Sequence, residues 1–267
     1  MKRLALGFAV ACLCVAFGSA PACAHFQMVY TPESALQKSQ DVTLKIVFTH
    51  PFEAGHTMDM AGVEEFFVVH KGKKEDLKKR LLPIRWTSLT NDGLGYEAAV
   101  PLKGMGDYVF GLVPAPYFEK AENAWMQQCT KTVVSVAGLP TDWDAEIGLP
   151  AEIVPLDKPY GLWTGNAFRG VVKANGQPVP FAEIEVEYMN HEPDVAHNYF
   201  AKDAKVEAPQ DAFVTQTIRA DANGTFVYSI PKAGWWGFAA LGVITRDYKG
   251  AELGVDAVIW VQARDMK

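Results

Sequence analysis

Cysteine is scarce in this chain: four occur among 267 residues. Three of them, Cys12, Cys14 and Cys23, fall within an N-terminal stretch that reads as a removable leader. Cys129 is then the only thiol left, and no internal disulfide can form. The fold must rest on an ordinary hydrophobic core, which the remaining length suffices to build. Cys129 itself, ahead of the apolar pair Val133-Val134, reads as a buried structural thiol. Basic residues are also in the minority, with 25 Lys and Arg against 31 Asp and Glu. Without Lys2 and Arg3 the counts are 23 and 31, a net charge of −8. That balance argues against nucleic acid and anionic lipid as partners and suits the attraction of cations. Long apolar runs are missing beyond Leu4–Phe17, and that run falls short of the roughly 20 residues of a membrane span. Also missing are a Gly-x-Ser-x-Gly elbow, a phosphate-binding loop and a dinucleotide fingerprint. Catalysis is not favoured.

The leader has a complete layout. Lys2-Arg3 is its basic start, Leu4–Phe17 its apolar run, and Ala22-Cys23-Ala24 its small-x-small cleavage site. Residues 1–24 are expected to be a signal peptide, and the mature protein to be periplasmic. Lipidation of Cys23 fits less well, because Ala20 stands where leucine is usual and Pro21 is an odd neighbour. Cutting after Ala24 makes His25 the first residue, with an α-amine and an imidazole that can chelate one metal ion together.

Period-two patterns dominate the rest. Residues 41–48 alternate apolar and polar side chains, and 65–69, 95–100, 107–113 and 131–136 behave alike. The charged stretch 71–80 reads as a solvated hairpin excursion rather than a basic binding patch. A short helix is expected somewhere in 116–128. Residues 156–161 read as a linker, after which a second strand series begins. In it, Asn175-Gly176 joins 167–173 to 182–188 as a hairpin turn. The expected fold is all-β: two β-sandwich-like domains, 25–156 and 157–267, the second Ig-like or transthyretin-like.

Six histidines remain: His25, His50, His56, His70, His191 and His197. The densest segment is Thr49-His50-Pro51-Phe52-Glu53-Ala54-Gly55-His56-Thr57-Met58-Asp59-Met60. It holds two imidazoles, two carboxylates and two thioethers at the end of a strand. Pro51 and Gly55 mark a shaped loop. Imidazole suits nickel, cobalt, copper and zinc, whereas a thioether shifts the preference towards Cu(I). His-x5-His matches no zinc finger or metalloprotease helix. The alternative is a plain loop with Met58 and Met60 packed into the core. The candidate metal ligands are His25, His50 and His56; the His25 amine and Nδ1 with the other two imidazoles would supply four nitrogens. Their affinity is expected to fall as pH drops through about 6.5, where histidine protonates. His70 reads as structural, His191 and His197 as a polar loop, and Trp235-Trp236 as core packing or a sugar-stacking platform.

Two resemblances cover the chain. Residues 168–186, with 220–226 downstream, resemble the carboxypeptidase-regulatory, transthyretin-like sandwich, a fold analogy that carries no reaction. Ala24-His25-Phe26, 49–53, 56–60, 113–117, 152–156, 159–163 and 232–241 together resemble the periplasmic component of ABC-type, energy-coupling-factor cobalt and nickel uptake systems, a family long labelled a domain of unknown function. The resemblance implies a non-enzymatic accessory component that binds Ni(II) or Co(II) as cargo and presents it to an integral-membrane permease. The alternatives are a copper-dependent oxidative enzyme with an N-terminal histidine brace and a carbohydrate- or matrix-binding module.

Overall fold

The computed structural model describes residues 25–267; the leader, Cys23 and the cleavage site lie outside the described residues. Among these the chain forms twenty-two strands, β1 to β22 in chain order, in three sheets and no α-helix. The first sheet runs β1 (Phe26–Tyr30), β3 (Asp41–Thr49), β8 (Asp92–Pro101), β7 (Leu82–Thr87), β18 (Tyr199–Ala204) and β17 (His191–Asp194), with β4 (Thr57–Met58) beside β3. The second runs β19 (Thr215–Arg219), β16 (Glu183–Tyr188), β21 (Gly234–Tyr248), β22 (Ala251–Arg264), β11 (Ala124–Val136), β9 (Gly106–Pro114), β5 (Val63–His70) and β6 (Lys73–Asp76). In that sheet β2 (Ala35–Leu36) and β10 (Tyr117–Glu119) pair with β11, and β13 (Leu162–Trp163) pairs with β22. The third holds β12 (Ala151–Pro155), β14 (Ala167–Ala174), β15 (Gln177–Pro178) and β20 (Thr225–Ser229). The architecture is all-β and sandwich-like, as the period-two patterns require.

Local chemistry accounts for the turns. Asn175 and Gly176 both adopt positive φ, 48° and 78°, as a tight hairpin demands. That turn joins β14 to the two-residue β15, however. The expected partner, 182–188, lies in the second sheet as β16, between β19 and β21. Lys71 and Gly72 also adopt positive φ between β5 and β6, so the charged stretch is a solvated hairpin. The helix expected in 116–128 is not there: β10 and the start of β11 occupy it. Met126 and Gln128 favour helix on their own. Strand pairing wins because Trp125 lies opposite Phe118 on one side and Leu253 on the other. A 3-10 turn, Asp211–Phe213, leads into β19.

The join near residue 157 is a break in chain order, not in packing. Gly161 N–H donates to the Lys158 carbonyl at 3.0 Å to make the expected turn. Yet β11 from the first segment pairs in parallel with β22 from the second, from Trp125↔Leu253 to Thr132↔Trp260. One sheet therefore runs through both segments. The return connection also crosses: Lys45, buried in the first segment, donates to Glu97 and to Asn198 of the second at 2.5 and 2.6 Å.

Three apolar clusters form the core. One is built on the 25–156 segment, one spans β5, β9 and β11 and the second segment, and a third lies between the first and second sheets. Phe26, Met28, Trp86, Trp235 and Trp260 belong to the third. Gly237 lies beneath Phe26; a Cβ there would stand 2.9 Å from both the Phe26 and Trp260 rings. The missing side chain makes the slot into which Phe26 inserts. Burying a phenylalanine stabilises by roughly 1.5–3 kcal/mol, and this one fixes the chain immediately after His25.

Candidate metal site at the start of the first strand

Strand register brings His25 beside His50 and leaves His56 just ahead of the neighbouring β4. The β1–β3 ladder ends at Phe26↔Thr49, and the β3–β4 ladder ends at Thr49↔Thr57. His25 and His50 follow directly on the end of the first ladder, and His56 precedes the Thr57 end of the second. Residues directly opposite on neighbouring strands share a face. The separation of His25 and His50 along the chain is thus removed by the β1–β3 pairing. The His25 and His50 rings lie 4.5 Å apart, centroid to centroid. His50 is buried and His56 is exposed.

The β1 strand is held from its other side by side chains. Gln128 Nε2 donates to the His25 carbonyl at 2.7 Å, Thr130 Oγ1 to the Gln27 carbonyl at 3.4 Å, and Thr132 Oγ1 to the Val29 carbonyl at 2.8 Å. Alternate residues of β11 thus satisfy alternate carbonyls of β1. Gln128 Oε1 accepts the Gln27 N–H at 2.7 Å, and Trp260 Nε1 also donates to the Gln27 carbonyl at 2.9 Å. Behind Gln128 stands Asp256, which accepts from Gln128 Nε2 at 3.2 Å and from Gly242 N–H at 2.7 Å. These bonds give the first described residue a fixed place.

The loop from 50 to 57 is fixed as well. Asn91 Oδ1 accepts the Thr57 N–H at 2.8 Å, and its Nδ2 donates to the Thr57 carbonyl at 2.9 Å. Gly93 allows this approach, since a Cβ there would meet Thr57 O at 2.6 Å. Ala54 is buried with φ of 45° and receives the Leu89 N–H at 2.8 Å.

Around His25 lie Phe48 and Tyr117, at ring separations of 5.5 and 6.4 Å, and Glu119. Glu119 Oε2 stands 3.4 Å from His25 Nε2. Burial, reinforced by the neighbouring His50 imidazole, lowers the His25 pKa to about 4 against a pull upwards from Glu119. Its imidazole therefore favours the neutral form well below pH 6.5. His25 also forms part of a cavity of about 240 Å³ walled by Glu122, Glu185, Glu252 and Asp256. Burial first, then mutual repulsion, raises Glu185 to about 7; burial raises Asp256 to about 6. The surroundings of His25 are strongly acidic.

Other residues singled out in the sequence have structural places. Met58 and Met60 are 1% and 4% exposed in the core, and Met60 Sδ accepts from Gln27 Nε2 at 3.7 Å. Asp59 pairs with Arg85 at 3.0 Å. His70 stacks on Tyr108 at 3.9 Å and donates from Nδ1 to the Asp107 carbonyl. His191 is buried and donates to the Ala201 carbonyl at 2.9 Å, while the exposed His197 pairs with Asp194. Trp235 and Trp236 are each 4% exposed, which leaves no open ring face for a sugar. Burial pushes the Cys129 thiol up to about 12, and it is inert. Glu119 and Gln128 were not singled out from the sequence. Each is a lone polar residue with no spacing signal, and only pairing of β10 with β11 puts Glu119 near His25. Among the described residues, no three or more His, Cys, Asp and Glu side chains are disposed to hold a metal ion as they lie.

A family model described as a domain of unknown function, DUF4198, matches residues 22–244. No curated protein sequence matches the chain. Solved structures with some likeness include the D0-D1 domain of Intimin, at 11% identity and a TM-score of 0.24, covering 90% of this chain and 100% of that one. Another is dimeric latent PorU from Porphyromonas gingivalis, at 9% identity and 0.24, covering 89% of this chain and 20% of that one. A third is the Yersinia pseudotuberculosis adhesin InvE, at 11% identity and 0.23, covering 87% and 58%. Likeness at this level carries no functional information.

Proposed function

The chain belongs to the DUF4198 family, and from that premise we propose that it is a periplasmic accessory protein that binds Ni(II) or Co(II) and presents the ion to an integral-membrane cobalt/nickel permease. The observation that supports the reading is the closeness of the His25 and His50 rings, 4.5 Å between centroids, with His56 just ahead of the adjacent β4. The donor set is the His25 α-amine and Nδ1, freed by cleavage after Ala24, with the imidazoles of His50 and His56. The amine is a main-chain donor, and it supplies what the side chains alone do not. Nitrogen donors of this kind suit Ni(II) and Cu(II). The cavity beside His25 supports a cation as cargo, because the carboxyls of Glu185 and Asp256, whose pKa values burial raises, gain from a positive neighbour. His56 is exposed, which suits a site that must release its ion. No step of this reading needs the protein to catalyse a reaction.

The test is calorimetric titration of mature protein, with its N-terminus at His25 confirmed by intact mass. One Ni(II) per chain is expected. Adding one alanine ahead of His25 displaces the amine and spares every side chain, so it should weaken binding at least tenfold. Equal affinity in the extended protein would remove the amine from the site, and a mature N-terminus elsewhere would end the reading.

A second reading follows from the closeness of His25 and His50: one amine and two imidazoles also make a three-nitrogen copper site suited to chemistry on oxygen. Peroxide formed by the copper-loaded protein in the presence of a reductant would favour it over transport.

A further inference from the structure

We infer that Glu119 is a positioning residue that holds the His25 imidazole as its Nε2–H tautomer, leaving Nδ1 free to bind the ion with the α-amine. The inference rests on the metal-binding reading above. A ring nitrogen that ligates must offer a lone pair, and which nitrogen does so is set by the bond the other one makes. The amine and Nδ1 belong to the same residue and close a small chelate ring. Nε2 lies across the imidazole and cannot reach the same ion. It is Nε2 that faces Glu119, with Oε2 at 3.4 Å, a few tenths of an ångström beyond hydrogen-bond length.

The carboxylate is itself aimed. Its Oε1 accepts the Ala121 N–H at 2.9 Å in the turn after β10, so Oε2 is left for His25. Pairing of Tyr117–Glu119 with Ala124–Met126 fixes the strand that carries it. On the opposite side, Gln128 fixes the His25 main chain. The arrangement is a carboxylate–imidazole pair behind a metal ligand, and such partners orient the ring and strengthen it as a donor.

The test reads the tautomer directly. Mature protein with 15N-labelled histidine is compared with E119A and E119Q, metal-free at pH 7, by long-range 1H–15N correlation. Nickel affinity and melting temperature are measured on the same samples. The wild type should show His25 protonated at Nε2. E119A should show a mixture of tautomers and bind Ni(II) about 10–100-fold more weakly, with a melting temperature close to that of the wild type. E119Q should fall between them, since a carboxamide has one oxygen for two donors, Ala121 N–H and His25 Nε2–H. A wild type protonated at Nδ1, or an E119A variant with unchanged tautomer, would overturn the inference even if nickel binds tightly. If the tautomer responds as expected but no nickel binds, Glu119 orients the ring and the metal-binding reading is what fails.

Discussion

At the residue scale, the groups that matter are polar side chains taken out of water. Glu187 is the sharpest case outside the site. It accepts the Phe52 N–H at 3.3 Å and pairs with Thr215 Oγ1, yet burial raises its pKa from 4.5 to about 8. An acid with a raised folded pKa keeps its proton while the unfolded chain has lost it, so the native state weakens as pH climbs from about 4.5 to about 8. Glu187→Gln removes the titration and keeps an acceptor for Phe52. Its melting temperature should match the wild type near pH 4.5 and exceed it increasingly towards pH 8, by on the order of 3 kcal/mol of stability. Thermal melts of both proteins at pH 4.5, 6 and 8 measure this. A constant offset across the range would show that Glu187 is ionised in the folded protein.

At the scale of elements, β1 is an edge strand made into an interior one by side chains. Unpaired edge carbonyls are a liability, and here Gln128, Thr130 and Thr132 take them in turn. Gln128→Leu deletes the rung at His25 and leaves the Asp256 carboxylate with one fewer donor. Nickel binding should weaken about tenfold, and exchange of the Gln27 amide with solvent should speed up. Thr132→Val, two rungs away, should spare binding and cost on the order of 1 kcal/mol of stability for one lost hydrogen bond. Hydrogen exchange and titration of the two variants side by side check the contrast. Equal loss of affinity in both would mean that the metal site does not depend on the local rung.

At the scale of the whole molecule, the two chain segments are one folding problem. The parallel pairing of β11 with β22 and the shared core that includes Cys129, Val133, Ile259 and Val261 tie 25–156 to 157–267. Cutting at residue 157 would strip β22 of its parallel partner β11 while leaving β21, and would expose the apolar core the two segments share. A fragment of residues 157–267 expressed alone is expected to lack a cooperative thermal transition, whereas residues 25–267 should unfold in a single one. A sharp melt of the isolated fragment would show that the shared sheet is dispensable to it.

The sequence by itself determined the all-β class, because period-two burial is written locally in runs such as 41–48 and 107–113. It also determined the turn at Asn175-Gly176, where two residues supply the positive φ needed, but not its partner, since 182–188 pairs in another sheet. It named His25, His50 and His56 because imidazole is a metal donor in any fold. Only the tertiary structure decided the rest. Pairing turned 116–128 into strand, against the helix that local composition suggested. Sheet continuity crossed the boundary at 157, which a change in local pattern cannot report. The meeting of His25 with His50, and of His25 with Glu119 and Gln128, follows from register between strands more than 20 residues apart. Register is fixed by which faces are buried against which, and that is a property of the packed sheets rather than of any one stretch of chain.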